Sequence, residues 1–123
     1  MRGSQARELV IERLTHDFSQ LSHVTVSFGD DGQLLVHGDQ WGGSADLIID
    51  LDEEVAGSDI ERGLARATAD IADNLLPDEV TSPWPQCPVH LDHPLQPKLF
   101  DGRASWVCLR DDRAVAVIGA LAG

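Results

Sequence analysis

Tyrosine is absent from this 123-residue chain, methionine occurs once, and lysine supplies one of only nine basic residues. The shortage of cations excludes most, since 21 Asp and Glu leave a formal net charge of −12. Phosphate backbones are held by clustered Lys and Arg, so nucleic acid is not an expected partner. An anionic membrane leaflet is disfavoured on the same ground. Long apolar runs are missing too. No stretch approaches the roughly 20 residues of a spanning helix, and the opening MRGSQAREL lacks the apolar centre of a signal peptide. A cytoplasmic location is therefore expected. Two cysteines are too few for a disulfide-stapled scaffold, but a chain this long, 42% hydrophobic and 24% charged, can build a core without one.

What is present is unevenly placed. Residues 1–82 carry 17 acids and 5 bases, the whole excess of −12, whereas residues 83–123 carry 4 of each. Such a body attracts basic protein surfaces, and the same acids also keep a chain soluble. Arg outnumbers Lys eight to one, a bias that fits a GC-rich bacterial genome.

The apolar pattern predicts an α+β fold. Val10, Leu14, Phe18 and Leu21 recur at helical spacing over residues 6–21, with Ser4 as an N-cap. The period then drops to two. Val24, Val26 and Phe28 alternate with polar residues, Gly29-Asp30-Asp31-Gly32 is turn chemistry, and residues 33–37 return as the second strand of a hairpin. After a glycine-rich loop at residues 38–43, residues 45–51 alternate again, with Leu47, Ile49 and Leu51 on one face. These make a three-stranded antiparallel meander. Ser58-Asp59-Ile60-Glu61 fits a capping box for a second helix along Ile60, Leu64, Ala67, Ile71 and Leu75, stopped at Pro77. Five of the six prolines then fall within residues 83–97 and exclude a helix there. Residues 104–109 and 113–118, around Arg110-Asp111-Asp112, read as a second hairpin. The expected organisation is an acidic α+β domain over residues 1–80 and a hairpin module over 81–123 packed on it.

The chemistry concentrates in that last part. Both cysteines and two of the five histidines fall within residues 87–108: Cys87, His90, His93 and Cys108. Cys87 and His90 stand C-x2-H, a spacing that lets one tight turn aim a thiolate and an imidazole at a single ion. Zinc takes four such donors tetrahedrally. Cys108 comes back at the end of a strand beside a hairpin turn. For the fourth ligand, His93 is favoured because imidazole suits zinc among thiolates; Asp111, which gives Cys108 a C-x2-D echo, is the alternative and is also an ordinary turn residue. Without metal, the cysteines are buried thiols or, less in keeping with a cytosolic protein, a disulfide. Asp92, beside a ligating histidine, reads as an outer hydrogen-bond partner.

Other signals are weaker. Trp84 and Trp106 either wall the metal site or serve as exposed anchors for a partner, and Trp41 either folds back on the core or projects outward. Gly38-x3-Gly42-Gly43 lacks the Lys-Ser/Thr ending of a phosphate loop, and no serine has the glycine frame of a nucleophile elbow. His16, His23, His37 and Asp39 read as solvated residues at element ends.

Residues 84–118 resemble a zinc ribbon whose second knuckle has lost a cysteine. Cys87-Pro88-Val89-His90, His93-Pro94-Leu95, Trp106-Val107-Cys108 and Ile118-Gly119-Ala120-Leu121 are also similar to segments in small proteins of GC-rich Gram-positive bacteria, a resemblance that implies no activity. The element order of the first part is similar to that of small acidic secretion-chaperone-like α+β proteins, at the level of fold only. The expected function is a non-enzymatic binding, adaptor or regulatory protein with one structural zinc, whose partner is a protein with a basic surface. The competing expectation is a small zinc-dependent hydrolase with Cys87, His90 and Cys108 as ligands, an open fourth position, and Asp92 or His93 as base. Coordination number separates the two.

Overall fold

The computed structural model describes residues 1–21, 23–30, 32–47, 54–76 and 84–122. Helix α1 (Gly3–Phe18) precedes strands β1 (Thr25–Phe28), β2 (Leu34–His37) and β3 (Gly42–Ala45). Helix α2 (Gly57–Asp70) continues through a π-helical turn at Ile71–Leu75, and strands β4 (Gln96–Phe100), β5 (Arg103–Cys108) and β6 (Arg113–Val117) close the chain. Both sheets are antiparallel, ordered β1-β2-β3 and β4-β5-β6. The fold is α+β with the expected order of helix, meander, helix and hairpin.

Alternating burial builds the first sheet. Val26, Leu34, Val36 and Ala45 are buried, while Thr25, Ser27 and His37 face water. The register pairs Phe28 with Leu34 and Leu34 with Ala45, which lines the apolar side chains up on one face. On α1, Gly3, Ala6, Val10, Leu14, Asp17 and Phe18 are buried at spacings of three and four, the stripe a helix lays on a core. Ile60, Leu64, Ala67, Thr68 and Ile71 do the same from α2. Apart from Gly3, Asp17 and Thr68, these residues join Leu95, Ala104, Trp106, Cys108, Ile118 and Leu121 in one apolar cluster, so residues from both parts of the chain share a core.

Three local expectations are corrected. The third strand was expected at residues 45–51, but β3 is Gly42–Ala45, inside the glycine-rich stretch; residues 48–51 lie outside the described residues. The glycines are there for space: a Cβ on Gly43 would sit 2.4 Å from Cδ2 of Leu75, which packs over this strand. The expected capping box is absent. The second helix begins at Gly57 after Ala56 with no side-chain cap, and Ser58 lies in its first turn. Glu61 is instead engaged outside its helix. It forms a bidentate pair with Arg13 at 2.6 and 2.9 Å and accepts the Ala104 N–H at 2.9 Å. The first helix likewise starts at Gly3, not after Ser4, with the Arg2 N–H donating to Gln5 Oε1 at 3.3 Å.

The proline-rich segment holds a strand the periodicity concealed. β4 includes Pro97, paired with Trp106, and lies at the edge of its sheet, where a residue with no N–H is tolerated. The central strand β5 is buried from Ala104 to Cys108, and its pairing with β6 shifts between Trp106 and Val107. None of the described helices is long and apolar enough to cross a membrane.

Candidate metal centre

Residues 85–95 form a small loop tied at its base. The Leu95 N–H donates to the Pro85 carbonyl at 2.6 Å, and the Cys87 N–H donates to the His93 carbonyl at 3.1 Å. Inside the loop, the His93 N–H reaches the His90 carbonyl at 3.4 Å and Gln86 Nε2 donates to the Leu91 carbonyl at 2.7 Å. The turn chemistry of Cys87-Pro88-Val89-His90 therefore puts Cys87, His90 and His93 on one inner side. Cys108 arrives from the far end of β5, where the hairpin to β6 positions it opposite Arg113.

One ligand atom from each of Cys87, His90, His93 and Cys108 lies within 4.8 Å of all the others. His90 Nδ1 is 3.6 Å from Cys87 Sγ, 3.3 Å from Cys108 Sγ and 3.3 Å from His93 Nε2, and His93 Nε2 is 3.8 Å from Cys108 Sγ. With Zn–S near 2.3 Å and Zn–N near 2.05 Å, a tetrahedron separates S and N donors by about 3.5 Å and two N donors by about 3.4 Å. The separations therefore suit donors around one ion. The cysteines are free and fully buried. The disulfide alternative is thus not realised.

Hydrogen bonds behind the rings set which nitrogen is offered. His93 Nδ1 lies 2.9 Å from the Pro94 carbonyl, so the Nδ1–H donates there and Nε2 keeps its lone pair toward the cluster. His90 Nε2 faces Asp111 Oδ2 at 3.5 Å, which leaves His90 Nδ1 for the cluster. Asp111, the alternative fourth ligand, stands on the outer side of the His90 ring, away from the cluster. The rings of His90 and His93 stack with centroids 5.3 Å apart. Around Cys87, burial raises the thiol pKa, but backbone hydrogen bonds from His90 and Val89 and a contact with Cys108 outweigh it and hold the thiol below its ordinary value; the Asp111 charge opposes them. The His90 N–H donates to Cys87 Sγ at 3.4 Å.

Asp92 does not serve the cluster. It is exposed and pairs with Arg110 at 3.4 Å, and the guanidinium charge holds its carboxyl below the ordinary range. The tryptophans pack into the core and do not project as anchors. Trp106 is fully buried, half-buried Trp84 lies 5.8 Å from it, and Phe18 completes the cluster at 5.4 and 6.5 Å from the two rings. Trp41 is half-buried and packs against the core. His16, His23, His37 and Asp39 are exposed, away from the cluster.

One residue escaped the sequence reading. Asp17 is completely buried and accepts four contacts: Trp106 Nε1 at 2.7 Å, the Gly119 and Leu121 N–H groups at 2.7 and 3.1 Å, and His16 Nδ1 at 2.8 Å. Arg13 Nε adds a bond to the Ile118 carbonyl at 2.7 Å. Gly119 is needed at this point, with φ of 106° and Arg13 Cβ 2.8 Å from where its own Cβ would stand. Asp17 thus ties Trp106 of β5 and the turn after β6 onto α1. The available signal was a carboxylate three residues after Leu14 on an otherwise apolar helical stripe.

No family model, no curated protein and no solved structure matches this chain.

Proposed function

We propose that the protein is a non-enzymatic binding or adaptor protein whose Cys87, His90, His93 and Cys108 hold one structural zinc. The observation that carries the reading is the set of donor separations: among two sulfurs and two imidazole nitrogens, four of the six separations fall near the edge lengths of a tetrahedral site. A mixed thiolate and imidazole set suits zinc over the hard oxygen-seeking cations. Four protein donors fill the tetrahedron and leave no position for a reacting water, which favours a structural ion over the hydrolase reading. The exposed Asp92, committed to Arg110, offers that alternative no positioned base. The charge of −12, carried wholly by residues 1–82, favours a protein partner with a basic surface.

Elemental analysis of untagged protein purified without chelator, followed by X-ray absorption at the zinc edge, tests the proposal. About one zinc per chain with two sulfur and two nitrogen scatterers is the expected result. Three protein donors plus an oxygen would transfer support to the hydrolase. Metal-free protein with freely titratable thiols would remove the zinc site altogether.

A further inference from the structure

Away from the metal centre, an open groove of about 580 Å³ lies along α1 and the end of β1, within the range of about 300–1,000 Å³ common to ligand clefts. Its floor is Ile11 and Phe28, both half-buried and both packed against the shared core. Arg7 lies beside them, its guanidinium 5.7 Å from the centroid of the Phe28 ring. His16 lines the groove as well, with Nδ1 turned to Asp17 at 2.8 Å. Glu8 and Glu12 complete the lining from adjacent turns of α1. A helix and an edge strand thus hold two apolar side chains and two carboxylates on one surface.

The two glutamates select what covers the groove. All nine Lys and Arg lie among the described residues, and neither Glu8 nor Glu12 has an ion-pair or hydrogen-bond partner there. Like charges four residues apart on a helix repel, and a bound cation relieves that repulsion. The net charge of −12, all of it on residues 1–82, adds a longer-ranged pull on cations. A second copy would set acids against acids, and an anionic membrane is repelled on the same ground. An apolar floor beside two carboxylates instead matches an amphipathic helix with Lys or Arg next to its apolar face. Two cations one turn apart on such a helix are spaced as Glu8 and Glu12 are, about 6 Å along the axis. We propose that this groove seats an amphipathic helix of a basic partner protein, with apolar side chains on Ile11 and Phe28 and its cations at Glu8 and Glu12. The inference rests on the reading of a basic protein partner and is independent of the zinc.

Calorimetric titration of the full chain with a Leu/Lys amphipathic peptide of about 14 residues tests it, with amide chemical-shift mapping to locate the site. A Ser/Lys peptide of the same charge and a Leu/Glu peptide of the same pattern are the controls. The Leu/Lys peptide is expected to bind with shifts concentrated on residues 7–16 and 25–28, and the Ser/Lys peptide about tenfold more weakly. Glu8→Gln combined with Glu12→Gln should weaken Leu/Lys binding about tenfold and flatten its salt dependence. Ile11→Ser should weaken it about as much and leave the salt dependence unchanged. Both glutamates are exposed, so their variant keeps its fold whatever Ile11→Ser does. Equal binding of the Ser/Lys and Leu/Lys peptides, undiminished binding to a folded variant, or shifts centred elsewhere overturns the groove and leaves a basic partner standing. Leu/Glu binding as tight as Leu/Lys overturns the basic-partner reading and the groove with it. Failure of all three peptides to bind at about 1 mM does the same.

Discussion

The meander and the metal loop are close to opposites in how they are held. In β1–β3 the buried residues, Val26, Leu34, Val36 and Ala45, are all apolar and join the shared core. Between Pro85 and Leu95 the buried side chains besides those two are reduced to Cys87, while Val89 and Leu91 stand in solvent. The meander is stabilised by area removed from water, which is non-directional and adds up over many residues. The loop has a few backbone hydrogen bonds and three donor atoms pointing at the place where Cys108 Sγ of β5 brings a fourth. A segment that buries so little needs a directional interaction to hold one conformation.

Metal removal is the sharpest way to break the comparison. On the proposed reading, a structural zinc would supply on the order of 10 kcal/mol of apparent binding energy, and for the loop this would be folding energy. Chelation is expected to abolish hydrogen-exchange protection over residues 85–95 while β1–β3 and α2 keep theirs. Residues 103–122 should be intermediate, since Trp106, Ile118 and Leu121 remain in the shared core. Loss of protection in α2 together with the loop would show that the ion supports the whole molecule.

Asp17→Ala attacks the connection between the two regions. It leaves the buried Trp106 Nε1–H and the Gly119 and Leu121 N–H groups without their acceptor. Each orphaned donor costs about 1–3 kcal/mol, so a loss of about 4 kcal/mol in denaturant unfolding is expected, accompanied by weaker retention of the proposed zinc as β5, which ends at Cys108, loosens. Leu34→Ala is the matched change in the meander, where a completely buried leucine becomes a cavity costing about 3 kcal/mol. Its zinc retention should equal that of the wild type at temperatures where it remains folded. Equal effects of the two variants on zinc would mean that Asp17 has no special link to the site.

Asp111→Asn probes the loop alone. Outer carboxylates behind ligating histidines contribute about 10–100-fold to metal affinity, and the 3.5 Å contact to His90 argues for the lower end. His93→Ala, which deletes a donor, should weaken zinc much more. If Asp111→Asn were the more damaging change, Asp111 would be a ligand in the metal-bound protein. The stability of the metal-free chain should not respond to Asp111→Asn, because the side chain is exposed.

The two regions also differ in how openly the sequence declares them. Alternation at Val24, Val26 and Phe28 and helical spacing on α1 are statements about burial, and burial is what a periodic pattern encodes. The clustering of Cys87, His90, His93 and Cys108 was legible for a different reason, since those residue types at those spacings have few other uses. What could not be read depended on partners distant in sequence. β3 runs through glycines because Leu75 packs over them, Glu61 turns to Arg13 and Ala104 instead of capping its own helix, and Pro97 sits in a strand because that strand is an edge. Asp17 is the extreme case, with partners about 90 to 104 residues away. Local chemistry has no access to such contacts until the tertiary fold exists.

The Glu61 pair gives the smallest expected effect, and its sign follows from its surroundings. Burial raises the Glu61 pKa, but the bonds from Arg13 and the Ala104 N–H, with the charges of Arg13 and Arg103, outweigh it and hold the carboxyl below the ordinary glutamate value. A carboxyl that is more acidic folded than unfolded binds protons preferentially in the unfolded chain. Its contribution is therefore fully present at neutral pH, where both states are ionised, and fades as pH falls below about 5 toward and through the folded pKa. Glu61→Gln removes that acid-dependent portion. The gap between wild-type and Glu61→Gln unfolding free energies should be constant from about pH 7 to 5.5 and narrow below about 4.5. Taking the difference between the two proteins cancels losses common to both, including release of the metal as its ligands protonate. A gap that stayed constant into acid would mean that Glu61 titrates alike in both states and that its bonds to Arg13 and Ala104 only position α2 against the second sheet. A gap that widened would reverse the sign and place Glu61 among groups whose burial outweighs their partners.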